Sequence, residues 1–250
     1  MIERILHGDI HELRLHRPPV NALSPELLKA ICEEVREAPG RGARAIILSG
    51  GEGVFSAGLD VPVLLALDRE ELGRGIESFF GAMETLAASK VPVAAAITGH
   101  SPAGGAILAL FCDWRVMADG PFTIGFNEVR IGVPMPEVVA ALAARTVGPR
   151  NAEILCVSGQ LMEPEDALAY GLVDEVAPME MVVERARLWC EKILESPPHA
   201  LAVTRSRMRR DLVEQVRRLR QDDERWLAAE WFAPELQATL QKLVAGLKDN

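Results

Sequence analysis

Two short apolar runs, "ARAIILSG" (43–50) and "VPVAAAIT" (91–98), constrain this chain more than any other feature. Each has an unbroken apolar centre, the pattern of a strand covered on both faces rather than one. Each run precedes a glycine-bearing loop, "FSAGLD" (55–60) and "GHSPAGG" (99–105), and each loop leads into a helical pattern. A chain that repeats buried strand, open turn and helix predicts an α/β core. The two units form a weak internal echo, compatible with stacked turns of one solenoid.

The flanking segments extend this reading. "DIHELRLHR" roughly alternates and predicts a half-exposed strand carrying Ile10, Leu13 and Leu15. "NALSPELLKAICEEV" predicts a helix. Ser24 can cap it, Pro25 suits its first turn, and Leu27, Leu28, Ile31 and Val35 recur at helical spacing. A long helical pattern runs from about Leu64 to Ala88, and "AILALFCD" reads as a buried helix. "WRVMAD" and "FTIGF" read as two more short strands. Beyond Gly132 the strand signal fades, and "PEVVAALAARTVG", "NAEILCVSG", "EPEDALAYG", "MVVERARLWCEKIL" and the 224–247 stretch all read as helices. No linker, low-complexity segment or short repeat interrupts the chain.

At 250 residues the chain is long enough for one large domain or two small ones, with a sizeable core. Its net charge of −9 argues against nucleic acid as a main partner, although "RSRMRR" (205–210) is a local basic patch. No apolar run approaches the roughly 20 residues of a membrane span. The first residues, "MIERILHGD", lack the apolar centre of a signal peptide, and the closing "LKDN" matches no peroxisomal or retention signal. Cys32, Cys112, Cys156 and Cys190 lie far apart with no C-x-x-C pair. They read as reduced core thiols of a cytoplasmic protein, and no metal site is expected from them.

The two loops admit two readings. Both can be simple tight strand-to-helix turns, in which Gly58, Gly104 and Gly105 relieve backbone crowding. Alternatively, their free N–H groups converge at helix starts and form an oxyanion hole, which stabilises negative charge growing on a carbonyl oxygen. Neither loop is a P-loop or a dinucleotide-binding glycine motif.

"FSAGLD", "GHSPAGGAILALFCDWRVMAD", "IGFNEVRIGVP" and "GLVDEV" occur in an order and spacing that resemble the crotonase (enoyl-CoA hydratase/isomerase) superfamily. The resemblance covers roughly Ile5 to Val176 and, more loosely, the C-terminal helices. It implies a spiral of ββα turns over residues 1–190 and a helical oligomerisation region over 191–250. It implies acyl-CoA thioester substrates of fatty-acid β-oxidation, an enolate intermediate and a homotrimer or hexamer. Coenzyme A would enter only as part of the substrate, with no permanently bound cofactor and no metal. The Leu59 and Gly104 N–H groups become the expected oxyanion donors. Ala57, Gly58, Leu59, Asp60 and Gly104 become the expected substrate-binding residues. A loop that works through its backbone has little need of polar side chains, which accounts for the bareness of "FSAGLD".

Side chains then decide the reaction. Hydratases of this superfamily use two glutamates, and the position of one is occupied here by Ile107, which carries no proton. The other aligns with Glu128 in "IGFNE". "PAGG", "ALxCDxRxMAD" and "IGxNE" look most like the mitochondrial-type Δ3,Δ2-enoyl-CoA isomerase. The expected reaction is therefore conversion of a 3-enoyl to a 2-enoyl thioester, with Glu128 as the base. Glu137, in "GVPMPEVVAAL", reads either as a helix-dipole partner, as a second acid, or as the base in place of Glu128. His100 reads as structural, and Ser101 lacks a nucleophile's setting. "RSRMRR" reads as a solvated helix face or as an attractor of CoA phosphates, and "RWLAAEWF" (225–232) as packing rather than a cofactor box. Two rival classes remain: another crotonase-type reaction (acyl-CoA hydrolase, decarboxylase or weak hydratase), or a non-catalytic acyl-CoA-binding protein.

Overall fold

The structure, a computed structural model, describes residues 1–248; Asp249 and Asn250, the end of "LKDN", lie outside the described residues. The chain opens with an antiparallel hairpin of β1 (Ile2–His7) and β2 (Ile10–Leu15). Ile10, Leu13 and Leu15 are buried, but so are His11 and Glu12, so β2 is not the half-exposed strand its alternation predicts. It is an interior strand of a large sheet, and its polar side chains are satisfied in place. Glu12 accepts from Ser49 Oγ at 2.7 Å and pairs with His7 Nε2 at 2.9 Å, as a buried carboxylate requires.

Helix α1 (Pro25–Glu37) begins as expected, with the Ser24 hydroxyl accepting from the Leu27 N–H at 3.3 Å and Pro25 in the first turn. The chain then winds in successive turns. The first runs β3 (Ala45–Ser49), β4 (Gly53–Val54), α2 (Val61–Leu65) and α3 (Arg69–Ala87). The second runs β5 (Val93–Ile97), β6 (Gly99–Pro102) and α4 (Gly104–Leu110), and the third begins β7 (Trp114–Ala118) and β8 (Ile124–Gly125). After them come α5 (Glu137–Val147), α6 (Pro149–Ser158), β9 (Leu161–Met162), α7 (Pro164–Tyr170), β10 (Glu175–Ala177) and α8 (Val182–Leu194).

Each turn places its first strand in one sheet and its second in another. The six-stranded sheet has the order β1-β2-β3-β5-β7-β10 and is parallel from β2 onward. The four-stranded sheet has the order β4-β6-β8-β9. The two unbroken apolar runs owe their pattern to this stacking. Ile46, Leu48, Val93, Ala95 and Ile97 face the main core, while Ala45, Ile47, Ala94 and Ala96 face a second core under α8.

Two helices close the chain, α9 (Pro198–Glu230) and α10 (Pro234–Lys248). The fold is thus the spiral α/β core with a helical C-terminal part that the sequence predicts. Local boundaries differ. The 64–88 helix is two helices, because Asp68 caps α3 in a reciprocal capping box with Glu71. The 224–247 stretch breaks before Pro234, which suits a first helical turn but not an interior. The "FTIGF" strand shrinks to Ile124–Gly125. Two short strands, β9 and β10, lie where strand signal had faded.

The basic patch is only partly a solvated face: Arg207 and Arg210 are exposed, but Arg205 and Arg209 are not. Arg205 and Arg209 both bind Asp113, at 2.8 Å each, and both reach backbone carbonyls of the core. Asp113 in turn accepts the Val93 N–H at 2.8 Å, so α9 is tied to the start of β5. Among the described residues, no helix is long and apolar enough to cross a membrane, and no three metal-ligating side chains cluster.

Candidate active site

The first loop uses almost every backbone donor it has, on the second loop, on the segment before α1 and on its own Ser56. Phe55 and Ser56 N–H donate to the His100 carbonyl, Ala57 N–H to Val20 O at 2.9 Å, and Asp60 N–H to Leu23 O at 3.2 Å. Gly58 N–H donates to the Ser56 hydroxyl at 3.2 Å, and that hydroxyl donates to Asn21 O at 2.8 Å. Among the described residues the Leu59 N–H finds no acceptor in this network. The loop is rigid, with one donor left over.

The second loop ends at the first residue of α4, where helix geometry leaves N–H groups without partners. Ala103 N–H donates to Gly125 O and Ile107 N–H to Ala103 O, but Gly104 N–H has no acceptor among these bonds. Ala103 takes φ 49° and ψ −123°, a conformation costly for a residue with a side chain. The two loops touch. A side chain at Gly58, whose φ is +85°, would come within 3.1 Å of Gly104 N. One at Gly104 would come within 3.3 Å of Leu59 N. Glycines favour this approach, and it leaves the two free N–H groups on neighbouring backbone.

Beside them opens a cavity of about 620 Å³. Ala57, Leu59, Asp60 and Gly104 line it; Gly58 does not, and sits where the two loops touch. Ile107 lines it too, so the position at which the resemblance implies a second glutamate in hydratases is an apolar wall here. Glu128 lies at the start of a 3₁₀ turn (Glu128–Ile131) and is buried, with its Oε2 lacking any partner. Burial pushes its carboxyl from 4.5 up to about 7, against a smaller lowering by a backbone hydrogen bond. Asp60 is the other carboxylate on the cavity wall, and it is committed: it pairs with Arg17 at 2.5 Å and caps α2 by accepting the Val63 N–H. Among the described residues lining the cavity, Glu128 is therefore the carboxylate free to exchange a proton.

Glu137 is not brought to the cavity. It is exposed at the first turn of α5. Its N–H donates to Asp223, which also accepts from Val138 N–H and so caps the helix. His100 is exposed, with Nδ1 accepting the Thr123 N–H at 3.2 Å and its ring edge-on to Phe122. Ser101 is fully buried and does not line the cavity.

Several cavity residues escaped the sequence reading. Arg17 flanks the opening, and Asn127, next to Glu128, places an unpartnered buried Oδ1 there. Leu227, Trp231, Leu240 and Leu243, from the α9–α10 hairpin, build one whole side. Leu227 and Trp231 fall one helical turn apart within "RWLAAEWF", so the periodicity was visible. Which cavity that face would meet was not.

The sequence profile of the enoyl-CoA hydratase/isomerase family matches residues 6–242. A probable enoyl-CoA hydratase of Mycobacterium tuberculosis, EchA17, is 36% identical over 196 residues, covering 78% of this chain and 74% of that protein. The mitochondrial enoyl-CoA delta isomerase 1 of Mus musculus is 35% identical over 214 residues, covering 84% of this chain and 74% of the mouse protein. The crystal structure of the human mitochondrial delta3-delta2-enoyl-CoA isomerase superposes with a TM-score of 0.94 at 29% identity, over 100% of this chain and 98% of that one.

Proposed function

This chain belongs to the enoyl-CoA hydratase/isomerase family, and we propose that within it the protein converts 3-enoyl-CoA thioesters to their 2-enoyl isomers. One observation carries this reading: the cavity offers a single uncommitted carboxylate, Glu128, and an apolar Ile107 where a hydratase needs its second. Addition of water needs a group that activates the water and a group that protonates carbon. Isomerisation needs only one group that moves a proton from one carbon to another.

The thioester oxygen binds between the Leu59 and Gly104 N–H groups. Glu128 takes a proton from C2, and the electron pair of that C–H bond moves into the thioester, giving a dienolate whose negative charge rests on the oxygen. The two N–H donors oppose that charge where it develops. The Glu128 carboxylic acid then returns the same proton to C4. The C2–C3 double bond forms, the carbonyl is restored, and nothing is gained or lost overall. A carboxyl near 7 suits both halves, because it takes and gives the proton at comparable cost near neutral pH. Ala57 and Asp60 line the part of the cavity that takes the substrate's CoA moiety. Glu137 stays outside the chemistry. On the same reading the helices of 191–250 carry the contacts of a homotrimer or hexamer, which light scattering tests directly.

Product analysis tests the reaction. The purified protein is given 3-enoyl, 2-enoyl and 3-hydroxyacyl thioesters separately. Interconversion of the first two, without hydration, is expected. Formation of the 3-hydroxyacyl product would make it a hydratase, as the name of the mycobacterial relative has it, and release of free CoA would make it a hydrolase.

A further inference from the structure

We propose that Trp231 sets the longest acyl chain the cavity accepts. The inference rests on the acyl-thioester reading above and adds to it the residue that selects among such substrates.

The cavity has an open end and a closed one. At the open end Arg17 retains 30% side-chain exposure, paired with Asp60. At the closed end Leu240, Trp231 and Leu227 are 0%, 3% and 5% exposed. A thioester held by Leu59 and Gly104 must send its charged, hydrated CoA part to the open end, because burying a charge without a partner is prohibitive. The acyl tail then runs toward the hairpin. Trp231 is the largest side chain on that wall.

A wall measures length only if it cannot retreat, and this one is pinned on several sides. Gln237 Nε2 donates to the Trp231 carbonyl at 2.7 Å, across the turn between α9 and α10. Trp231 N–H donates to Leu227 O at 2.9 Å. Arg69 stands 4.6 Å from the centre of the neighbouring Phe232 ring and donates to Ala228 O at 3.2 Å. Further along α9, Asp223 holds the start of α5, whose preceding Pro136 also lines the cavity. A tail one carbon too long therefore meets a buried indole on a held backbone, and packed interiors resist such overfilling.

The test is binding of a ladder of saturated straight-chain acyl-CoA thioesters, measured calorimetrically on the full chain. In the parent protein affinity should rise by about fourfold per added methylene, then break at one length. Trp231→Ala should move that break to longer chains by several carbons and leave the shortest thioester unaffected. Leu243→Phe, which adds volume to the same wall, should move it to shorter chains. Should Trp231→Ala fail to fold, Trp231→Phe and Leu243→Phe decide the matter by the same shifts. A break that stays at the parent length in the folded variants overturns the inference, as does a parent ladder with no break. If no thioester binds the parent at any length, the acyl-thioester reading falls with it.

Discussion

The two sides of the cavity are made of different things. One side is backbone: the loops 55–60 and 99–105 contribute N–H groups, and glycines at 58 and 104 let them touch. The other side is side chain: Leu227, Trp231, Leu240 and Leu243 contribute mainly apolar bulk. Glu128 borders the same cavity. The difference assigns them different quantities. The loop side should govern how fast any substrate reacts, and the hairpin side which substrate enters and how dry Glu128 stays.

The sharpest test of this division is Glu128→Gln, which removes the proposed proton carrier and touches neither side. It should lower kcat by about 10²–10⁴ while acyl-CoA affinity and the length profile persist. Substantial residual turnover would remove the base assignment. Gly58→Ala comes next. It forces a side chain into a φ of +85° and against Gly104 N, so it should displace a proposed oxyanion donor. We expect a loss of about 10²-fold in kcat, equal for short and long acyl chains. A loss that depends on chain length would break the comparison.

The pH profile is a smaller effect. With Glu128 near 7 in the free protein, its carboxylate form disappears as pH falls below that value. The kcat/KM should then drop about tenfold per pH unit below 7 and level off above it. The same raised carboxyl has a stability cost. The folded state holds the proton more tightly than the unfolded chain, so stability falls as pH rises from 4.5 through about 7. Glu128→Gln should remove that cost and raise stability by on the order of 1–3 kcal/mol at pH 8, with little gain at pH 4. Denaturant melts at the two pH values check the sign. The smallest change belongs to Glu137→Gln, an exposed site off the cavity: activity within about twofold and stability within about 0.5 kcal/mol. A dead Glu137→Gln with an active Glu128→Gln would reverse the assignment of the base.

The same division explains what the sequence made legible. The strands 45–49 and 93–97 are readable because burial on both faces leaves an unbroken apolar run, and the loops because close approach demands glycine. Glu128 is readable because it sits in an apolar stretch with recognisable neighbours. β2 misleads, because its buried Glu12 is satisfied by Ser49 and His7, partners distant or unmarked in the pattern. Arg205 and Arg209 look like surface charge because their counter-ion, Asp113, lies on another element. The hairpin wall was hidden for a related reason: helical spacing announces an apolar face but not what it covers. Glu137 carried an alternative role until the fold put its side chain in solvent and its N–H on Asp223.

As the proposed base, Glu128 is as strong as its surroundings are dry. Desolvation is the leading cause of the Glu128 shift, and the hairpin supplies one side of that enclosure. Water admitted between Trp231 and Leu240 would solvate the carboxylate and let its pKa slide back toward 4.5, leaving a feebler proton acceptor with its position unchanged. The acid–base character of residue 128 is thus partly encoded in the last helices of the chain. Leaky substitutions there would announce themselves first as a drift of the acid limb of the pH profile to lower pH.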